Sequence, residues 1–503
     1  MKGAIAAGHV KTAEAGMRMY ELGGNAFDAV LASLAAACVV EPVLTSLGGG
    51  GFLLAREGRG RPVLHDFFVQ TPRKRRPAGE CEFYPVIADF GTVQQEFHIG
   101  AGSIATPGTI RGLVSSHKRL CSLPLREIMA PAIEYAAEGV RMNQLQAYIF
   151  SIVAPIYRAT PDAEALYGGR APLGAGTLFR QPALADTLAW IATEGDAPFY
   201  RGEVAERLVS LCREQGGHLE REDLEQFRVI RREPLQHTYH GYQVATNPAP
   251  SSGGTLINFA LTALGSQDLA VMGFGTRRHL RILAEVMEQT NLARQDGLLA
   301  RSGRHSEMLE ELLAKLADHP VNNRGTTHIS TIDAQGNSAA LTLSNGEGSG
   351  RLLNDTGIML NNMLGEEDLN PEGFNRWPCD VRVSSMMAPT LAEDRHHLIA
   401  IGSGGSNRLR TAILQTLSNL IDFGMSPEQA VNAPRIHFER GRLDIEPGFP
   451  DDVVTALGVQ YPDHQAWESH NLYFGGTHTV CWDGKAFTGA GDPRRGGVFM
   501  HTA

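Results

Sequence analysis

The spacing of apolar residues predicts helices along the first half of the chain. The segment AEAGMRMYELGGNAFDAVLASLAAACVV indicates two helices broken at Gly23 and Gly24, and the second is apolar on nearly all sides, as buried helices are. In SLGGGGFLLARE a glycine run then leads into a strand. Residues 121–230 are predicted to be mostly helical and residues 279–317 helical again, while GYQVATNPAPSSGGTLINFALTAL predicts a strand, a loop and a helix.

After Thr326 the pattern changes to the alternation that is typical of strands. Strands are predicted in THISTID, SAALTLS, HLIAIGS and TVCWDGKAFTGAG, with one more helix in RLRTAILQTLSNLIDFG. Sheets covered by helices on their outer faces fit this order, and no repeat or low-complexity linker separates the two halves. The pattern therefore predicts one compact unit of mixed α/β (α+β) class.

The first two of these strands form a hairpin whose register can be predicted. The turn AQGN between them carries Gly336. A three-residue loop centred on Gln335 pairs positions whose numbers sum to twice 335, or 670, so that Thr326 faces Ser344. A two-residue loop moves the partner to Asn345. Either loop places a hydroxyl or amide side chain beside Thr326.

Composition and charge exclude several classes of function. The 503 residues are 43% apolar and 20% charged, as in ordinary globular proteins. A net charge of −10 argues against a nucleic-acid-binding surface. Six cysteines without a C-x-x-C pair indicate neither a disulfide scaffold nor a zinc site, and no metal or organic cofactor is expected. The chain shows no signal peptide and no stretch long enough to span a membrane, which predicts a cytoplasmic protein.

Thr326, in NNRGTTHIS, has two interpretations. A threonine hydroxyl becomes a good nucleophile when a base takes its proton, and an N-terminal threonine carries that base as its own α-amine. Thr326 reaches this state only if the bond to Gly325 is cut, and Gly325 has no Cβ to hinder attack on its carbonyl. By spacing alone, the more common role of such a threonine is to fill a strand.

Several segments, in order along nearly the whole chain, resemble the γ-glutamyltransferase (γ-glutamyltranspeptidase) family. They are ELGGNAFDAVLASLAAACVVEPVLTSLGGGGFLLA, ATPGTIRGL, FYRGEVAERL, GGHLEREDLEQF, GYQVATNPAPSSGGT, TTHISTID, TGIMLNN, SSMMAPT, NAPRIHFE and GAGDPRRGG. The resemblance implies an N-terminal-nucleophile hydrolase fold, a four-layer αββα sandwich. It also implies a proenzyme that cuts itself between Gly325 and Thr326 into segments 1–325 and 326–503, which remain together as a heterodimer and can oligomerise further.

The resemblance also assigns roles to particular residues. Thr326 is then the nucleophile, and Ser344 matches a threonine that contacts it. In GSGGS, Gly404 and Gly405 match the glycines whose N–H groups form the oxyanion hole. Ser384 and Ser385 match the serine pair that helps to hold the substrate's α-carboxylate. Taken alone, each of these segments is a tight turn or a strand end.

The acyl pocket departs from the family pattern. Phe68, in HDFFVQTPRKRR, stands where the family has an arginine that pairs with the α-carboxylate, and the basic residues 73–76 are candidate substitutes. Met363 replaces a glutamine, and Asn345 is the only obvious counterpart of a substrate-binding asparagine. The family aspartate that binds the α-amine has three candidate replacements: Glu366, Glu367 and Asp368.

The main hypothesis is a self-processing threonine amidohydrolase that takes a γ-glutamyl or similar acyl group, as in glutathione metabolism, and passes it to water or an amine. The segment between LNN and SSMM is too short for a transpeptidase lid, which favours hydrolysis over transfer. Two alternatives stay open. One is an acylase for another dicarboxylic monoamide, such as a glutaryl amide, and the other is a non-catalytic protein that keeps the fold.

Overall fold

Two antiparallel sheets lie at the centre of the molecule. The computed structural model describes residues 1–89, 94–168, 173–295, 325–370 and 373–502. Within these ranges one sheet has seven strands, in the order β22 (Val498–His501), β1 (Gly3–Ala7), β11 (Thr327–Asp333), β12 (Ser338–Ser344), β2 (Gly50–Arg56), β3 (Val63–Asp66) and β8 (Ile230–Arg232). The other has six, in the order β21 (Phe487–Ala490), β20 (Gly476–Trp482), β16 (Leu398–Gly404), β15 (Thr390–Glu393), β10 (Tyr242–Thr246) and β9 (Leu235–Tyr239).

Shorter strands form small separate sheets. They pair β4 (Tyr84–Asp89) with β5 (Gln94–Ile99), β6 (Val140–Arg141) with β7 (Leu178–Phe179), β13 (Leu352–Leu353) with β14 (Ile358–Met359), and β18 (Arg442–Ile445) with both β17 (Ile436–Glu439) and β19 (His464–Ala466).

Helices cover the outer faces of the two large sheets. Those of the described ranges are α1 (Val10–Glu21), α2 (Ala26–Val40), α3 (Thr109–Leu120), α4 (Leu125–Glu138), α5 (Gln144–Tyr157), α6 (Pro161–Leu166), α7 (Pro182–Glu194), α8 (Ala197–Tyr200), α9 (Glu203–Glu214), α10 (Arg221–Gln226), α11 (Gly253–Leu264), α12 (Leu269–Met272), α13 (Arg277–Gln295), α14 (Arg408–Ile421), α15 (Pro427–Asn432) and α16 (Asp451–Gln460). Within the same ranges, no helix is both long enough and apolar enough to cross a membrane.

The two faces of the seven-stranded sheet belong to different cores. In β12, Ala339 and Leu341 pack with the helices around α2, whereas Ala340 between them packs with the six-stranded sheet and the helices around α14. This division follows from the two-residue period of a strand, which sends neighbouring side chains to opposite faces. The layers are therefore helix, sheet, sheet, helix.

The break between the first two helices is as the sequence predicts. Gly23 adopts φ +86°, a left-handed conformation that suits the end of α1. Asn25 then caps α2 in a capping box with Asp28, and all of α2 is buried. The helix predicted over residues 279–317 is present as α13, and its part beyond Gln295 lies outside the described residues.

Candidate active site

Thr326 lies immediately before β11, at one end of the hairpin. Thr327 pairs with Leu343 and His328 with Thr342, so the paired positions sum to 670 as the three-residue loop predicts. The predicted register is confirmed, and it brings the Ser344 hydroxyl to the Gly325–Thr326 peptide. On its other side Ser344 pairs with Gly50 in β2.

The Gly325 carbonyl accepts two hydrogen bonds from hydroxyl groups. Thr326 Oγ1 donates to it at 2.8 Å and Ser344 Oγ at 2.7 Å. The amide of the same glycine donates to Glu347 Oε1 at 2.6 Å. Thr326 is only 5% exposed. Gly325 is therefore held at both its carbonyl and its own amide, with the threonine hydroxyl beside the carbonyl that it would attack.

The carbonyl of Thr326 lies against the end of β16. A Cβ added to Gly404 would be 2.3 Å from this oxygen, so only glycine fits there. Gly405 adopts φ +122°, and a Cβ on it would be 3.0 Å from the Gly475 backbone. Arg495 Nη1 donates to Thr326 O at 3.5 Å. Burial lowers the pKa of Arg495 to about 10, so the guanidinium keeps its charge at neutral pH.

A small cavity opens beside Thr326. The residues that line it are Phe68, Thr326, Ser344, Met363, Glu366, Leu369, Ser385, Met386, Met387, Ser406 and Leu409. Of the residues predicted from the sequence, the cavity brings together Thr326, Ser344, Glu366 and Ser385. Phe68 and Met363, the two departures from the family pattern, also line it.

The other predicted binding residues lie outside this lining. Ser384 Oγ donates to Pro250 O at 2.9 Å, and Asn345 Nδ2 is 3.5 Å from Leu360 O with the whole residue buried. Glu367 is half-buried near His98. Burial lowers the pKa of His98, and the carboxyl groups of Glu96 and Glu367 oppose that shift only in part. Their assignment to substrate binding stays a prediction.

The segments PSSGG and SSMM, far apart in the chain, meet behind the cavity. Ser251 Oγ donates to Ser385 O at 2.6 Å, and Ser252 N donates to the same oxygen at 2.9 Å. Met387 N donates to Ser385 Oγ at 3.0 Å. The two serines of PSSGG therefore position the cavity wall.

The basic residues 73–76 are engaged elsewhere. Arg73 pairs with Asp380 at 2.8 Å, and Lys74 pairs with Glu220 at 2.8 Å. Arg75 Nη1 donates to a backbone carbonyl at 3.1 Å, as does Arg76 Nε at 2.9 Å. None of the four is among the residues that line the cavity.

Three residues near Thr326 were not predicted individually from the sequence. Glu347 lies in SNGEGSG, where Gly346 and Gly348 both adopt positive φ. Ser406 lines the cavity, and its hydroxyl has no hydrogen-bond partner among the described residues. Glu41, which interrupts an apolar stretch of sequence, accepts hydrogen bonds from Thr12 and from Thr327, the residue after the nucleophile, at 2.6 and 2.7 Å. A buried acid inside an apolar run is the one signal that could have identified Glu41.

Within the described ranges no group of three or more His, Cys, Asp or Glu residues could hold a metal ion.

Comparison with known proteins places this geometry in a family. The family model of gamma-glutamyltranspeptidase matches residues 12–502. The acylase ACY 1 proenzyme of Pseudomonas sp. (strain V22) is 30% identical over 488 residues, covering 91% of this chain and 86% of that protein. The glutathione hydrolase proenzyme of Escherichia coli (strain K12) is 29% identical over 548 residues, covering 98% and 90%.

Among solved structures, cephalosporin acylase from Bacillus halodurans superposes with a TM-score of 0.84 at 25% identity, covering 99% of this chain and 95% of that one. The αββα sandwich of the N-terminal-nucleophile hydrolases is thus confirmed. The chain belongs to the gamma-glutamyltranspeptidase family.

Proposed function

We propose that this protein is a self-processing amidohydrolase with Thr326 as its nucleophile. The observation that carries the proposal is the placement of the Thr326 hydroxyl, 2.8 Å from the Gly325 carbonyl oxygen and on the wall of a cavity. The same hydroxyl can therefore serve two reactions in turn, first on its own chain and then on a substrate.

Self-processing begins when Thr326 Oγ attacks the Gly325 carbonyl carbon. The bond from that carbon to Thr326 N breaks, the nitrogen takes up a proton, and an ester joins Gly325 to Thr326 Oγ. Water then hydrolyses the ester, which leaves a carboxylate on Gly325 and frees both the hydroxyl and the α-amine of Thr326. The Ser344 hydroxyl stabilises the charge that develops on the Gly325 oxygen, since it already donates to it at 2.7 Å.

Turnover uses the α-amine that processing creates. An α-amine has an unperturbed pKa of about 7.7–8.0, so a useful fraction is neutral at physiological pH and can take the hydroxyl proton. The hydroxyl attacks the substrate amide, the leaving amine departs with the proton, and the acyl group is held as an ester. Water or an amine then takes the acyl group from Thr326. The N–H groups of Gly404 and Gly405 are our candidates for the oxyanion hole.

The two segments should stay associated after cleavage. In the seven-stranded sheet β1 of segment 1–325 lies between β22 and β11 of segment 326–503, and β12 pairs with β2. In the six-stranded sheet β10 pairs with β15 in the same way. Separating the segments would break these four strand pairings and expose buried cores, which supports a heterodimer of the processed fragments.

Substrate choice has two candidates. A γ-glutamyl amide is the substrate class that the name of the glutathione hydrolase relative suggests. An acylase acting on a different acyl group is favoured by one observation, namely that Phe68 and Met363 both line the cavity beside Thr326.

Intact-mass analysis of the purified protein tests the nucleophile. We expect two fragments, residues 1–325 and 326–503, and N-terminal sequencing of the smaller should read Thr-Thr-His. Thr326→Ala should remain one chain and hydrolyse no γ-glutamyl or glutaryl anilide. Thr193→Ala, which removes an exposed hydroxyl bonded only within its own helix, serves as the control and should behave as wild type. Cleavage at another bond, or activity in Thr326→Ala, would refute the proposal.

A further inference from the structure

We infer that the cavity beside Thr326 takes an apolar acyl group that carries no carboxylate. The inference rests on the proposed function, because it names the acyl donor of the same nucleophile. Six of the lining side chains are apolar: Phe68, Met363, Leu369, Met386, Met387 and Leu409. The polar lining consists of the Glu366 carboxyl group and of four hydroxyl groups, those of Thr326, Ser344, Ser385 and Ser406.

None of the described residues that line the cavity is lysine, arginine or histidine. The basic residues 73–76 bind other acids and carbonyls, as described above. Arginines beside lining residues are engaged in other contacts. Arg408 and Arg410 flank Leu409; Arg408 Nε donates to Tyr473 O at 3.2 Å, and Arg410 pairs with Glu439 at 3.8 Å. Arg382 binds the carbonyls of Phe68 and Arg228 and pairs with Asp66, while Arg495 binds the carbonyl of Thr326. A substrate carboxylate entering the cavity would therefore lose its water without gaining a cationic partner, which is strongly unfavourable.

Phe68 is a fixed part of the wall. Its amide donates to Asp66 Oδ1 at 3.0 Å, and its carbonyl accepts a hydrogen bond from the Arg382 guanidinium. Its ring stacks on that of Phe52 with 5.3 Å between centroids, and the residue is 1% exposed. With backbone and ring both held, the side chain cannot swing aside to admit a cation from a neighbouring loop.

The remaining wall suits methylene groups. Met386 and Met387 present flexible thioether side chains, which adapt to different apolar shapes. Each methylene that moves from water into such a wall improves binding by about fourfold. The cavity should thus gain affinity from an alkyl chain and lose it for every charged oxygen that the chain carries.

Four anilides that differ in two groups test the inference. Glutaryl anilide is butanoyl anilide with a carboxylate on its last carbon, and γ-glutamyl anilide is 4-aminobutanoyl anilide with the same addition. We expect kcat/KM to be at least tenfold higher for the carboxylate-free member of each pair. The rate measured in parallel with Thr326→Ala gives the spontaneous release of the aniline, which is subtracted. A ratio below tenfold in either pair would overturn the inference.

A charge placed in the wall gives a second, independent measurement. Phe68→Arg should reduce the preference for butanoyl over glutaryl anilide by tenfold or more, whereas Val459→Arg, at a position 80% exposed on α16, should leave the preference unchanged. An unchanged ratio in a Phe68→Arg protein that still cleaves itself would overturn the assignment of Phe68. If Phe68→Arg fails to cleave itself, the kcat/KM ratios of the wild-type protein for the two anilide pairs still decide whether the inference holds.

The same panel separates the inference from the function on which it rests. Thr326-dependent hydrolysis that prefers the carboxylate-bearing anilides would overturn the inference and leave the amidohydrolase intact. If the processed protein hydrolysed none of the four, the proposed function would fail as well.

Discussion

The part of the site that breaks bonds and the part that would hold the acyl group differ in how their polar groups are arranged. Around Gly325, polar atoms are paired closely: two hydroxyl groups donate to its carbonyl, and its own amide donates to a carboxyl group. In the lining of the cavity, Phe68 and Met363 occupy the positions where the resemblance to the family predicts groups that bind an amino-acid head.

This difference indicates which properties of the family the chain keeps. The reaction depends on a nucleophile, a base and donors to an oxyanion, and the residue types for these are present. Specificity depends on polar and charged partners for the substrate, and the resemblance implies that Phe68 replaces an arginine and Met363 a glutamine. A scaffold of one family can change substrate in this way without changing its chemistry, because function lies in the site and not in the fold.

The largest effect should come from filling the space beside the Thr326 carbonyl. In Gly404→Ala the new Cβ would be 2.3 Å from this backbone oxygen, a clash that no side-chain rotation can relieve. A shift of about 1 Å displaces both the nucleophile and the oxyanion donors, and we expect self-cleavage to slow by roughly a thousandfold. Gly79→Ala, where a Cβ meets nothing within 4 Å, is the matched control. Intact mass against time measures both, and normal cleavage in a folded Gly404→Ala would show that the contact is not needed.

The second prediction removes one donor from the reacting carbonyl. In Ser344→Ala, self-cleavage and substrate turnover should each be about a hundredfold slower than in the wild type, which is the usual cost of losing one oxyanion donor. Ser338→Ala is the control, since Ser338 lies on the same buried strand and its hydroxyl has no hydrogen-bond partner among the described residues. Equal rates for the two variants would contradict a role for Ser344 in the chemistry.

The third prediction concerns the amide of Gly325, which precedes the scissile bond in the chain. Glu347 holds Gly325 N at 2.6 Å, and a hydrogen bond to a charged group contributes about 1.5–3 kcal/mol, so Glu347→Ala should slow self-cleavage about ten- to hundredfold. Glu347→Gln keeps an acceptor oxygen and should lose less. If both variants slow cleavage equally, then charge, and not the hydrogen bond, is what matters at this position.

The sequence predicted the contact between Thr326 and Ser344 well, because local rules determine it. A three-residue turn and a two-residue period are enough to place Ser344 beside Thr326, and the register of Thr327 with Leu343 confirms this. The break at Gly23 is local in the same sense, since a single glycine at φ +86° ends α1.

The rest could not be predicted because it depends on contacts between distant segments. Arg73 pairs with Asp380, which lies 307 positions further along the chain (380 − 73), so the sequence alone left the basic residues 73–76 as candidates for the pocket. Glu347 points at Gly325 because glycines with φ +65° and +89° on either side turn the loop, and no strand or helix period describes such a loop. Specificity residues are often of this kind, since they lie on loops that tertiary structure positions.

The smallest expected effect lies beneath the nucleophile, at Glu41. Burial raises the pKa of this carboxyl group above 4.5, although hydrogen bonds from Thr12 and Thr327 oppose the shift. The native state then binds the proton more tightly than the unfolded chain, so this group's contribution to stability is present below pH 4.5 and is lost as the pH rises through the folded pKa. Glu41→Gln cannot ionise, and its melting temperature relative to wild type should therefore rise with pH over that window, by about 1–2 °C. Glu14→Gln, at a half-buried glutamate paired with Lys11, is the control and should show no such rise. A difference between Glu41→Gln and wild type that stays constant from pH 4 to 8 would mean that Glu41 does not change its protonation in this range.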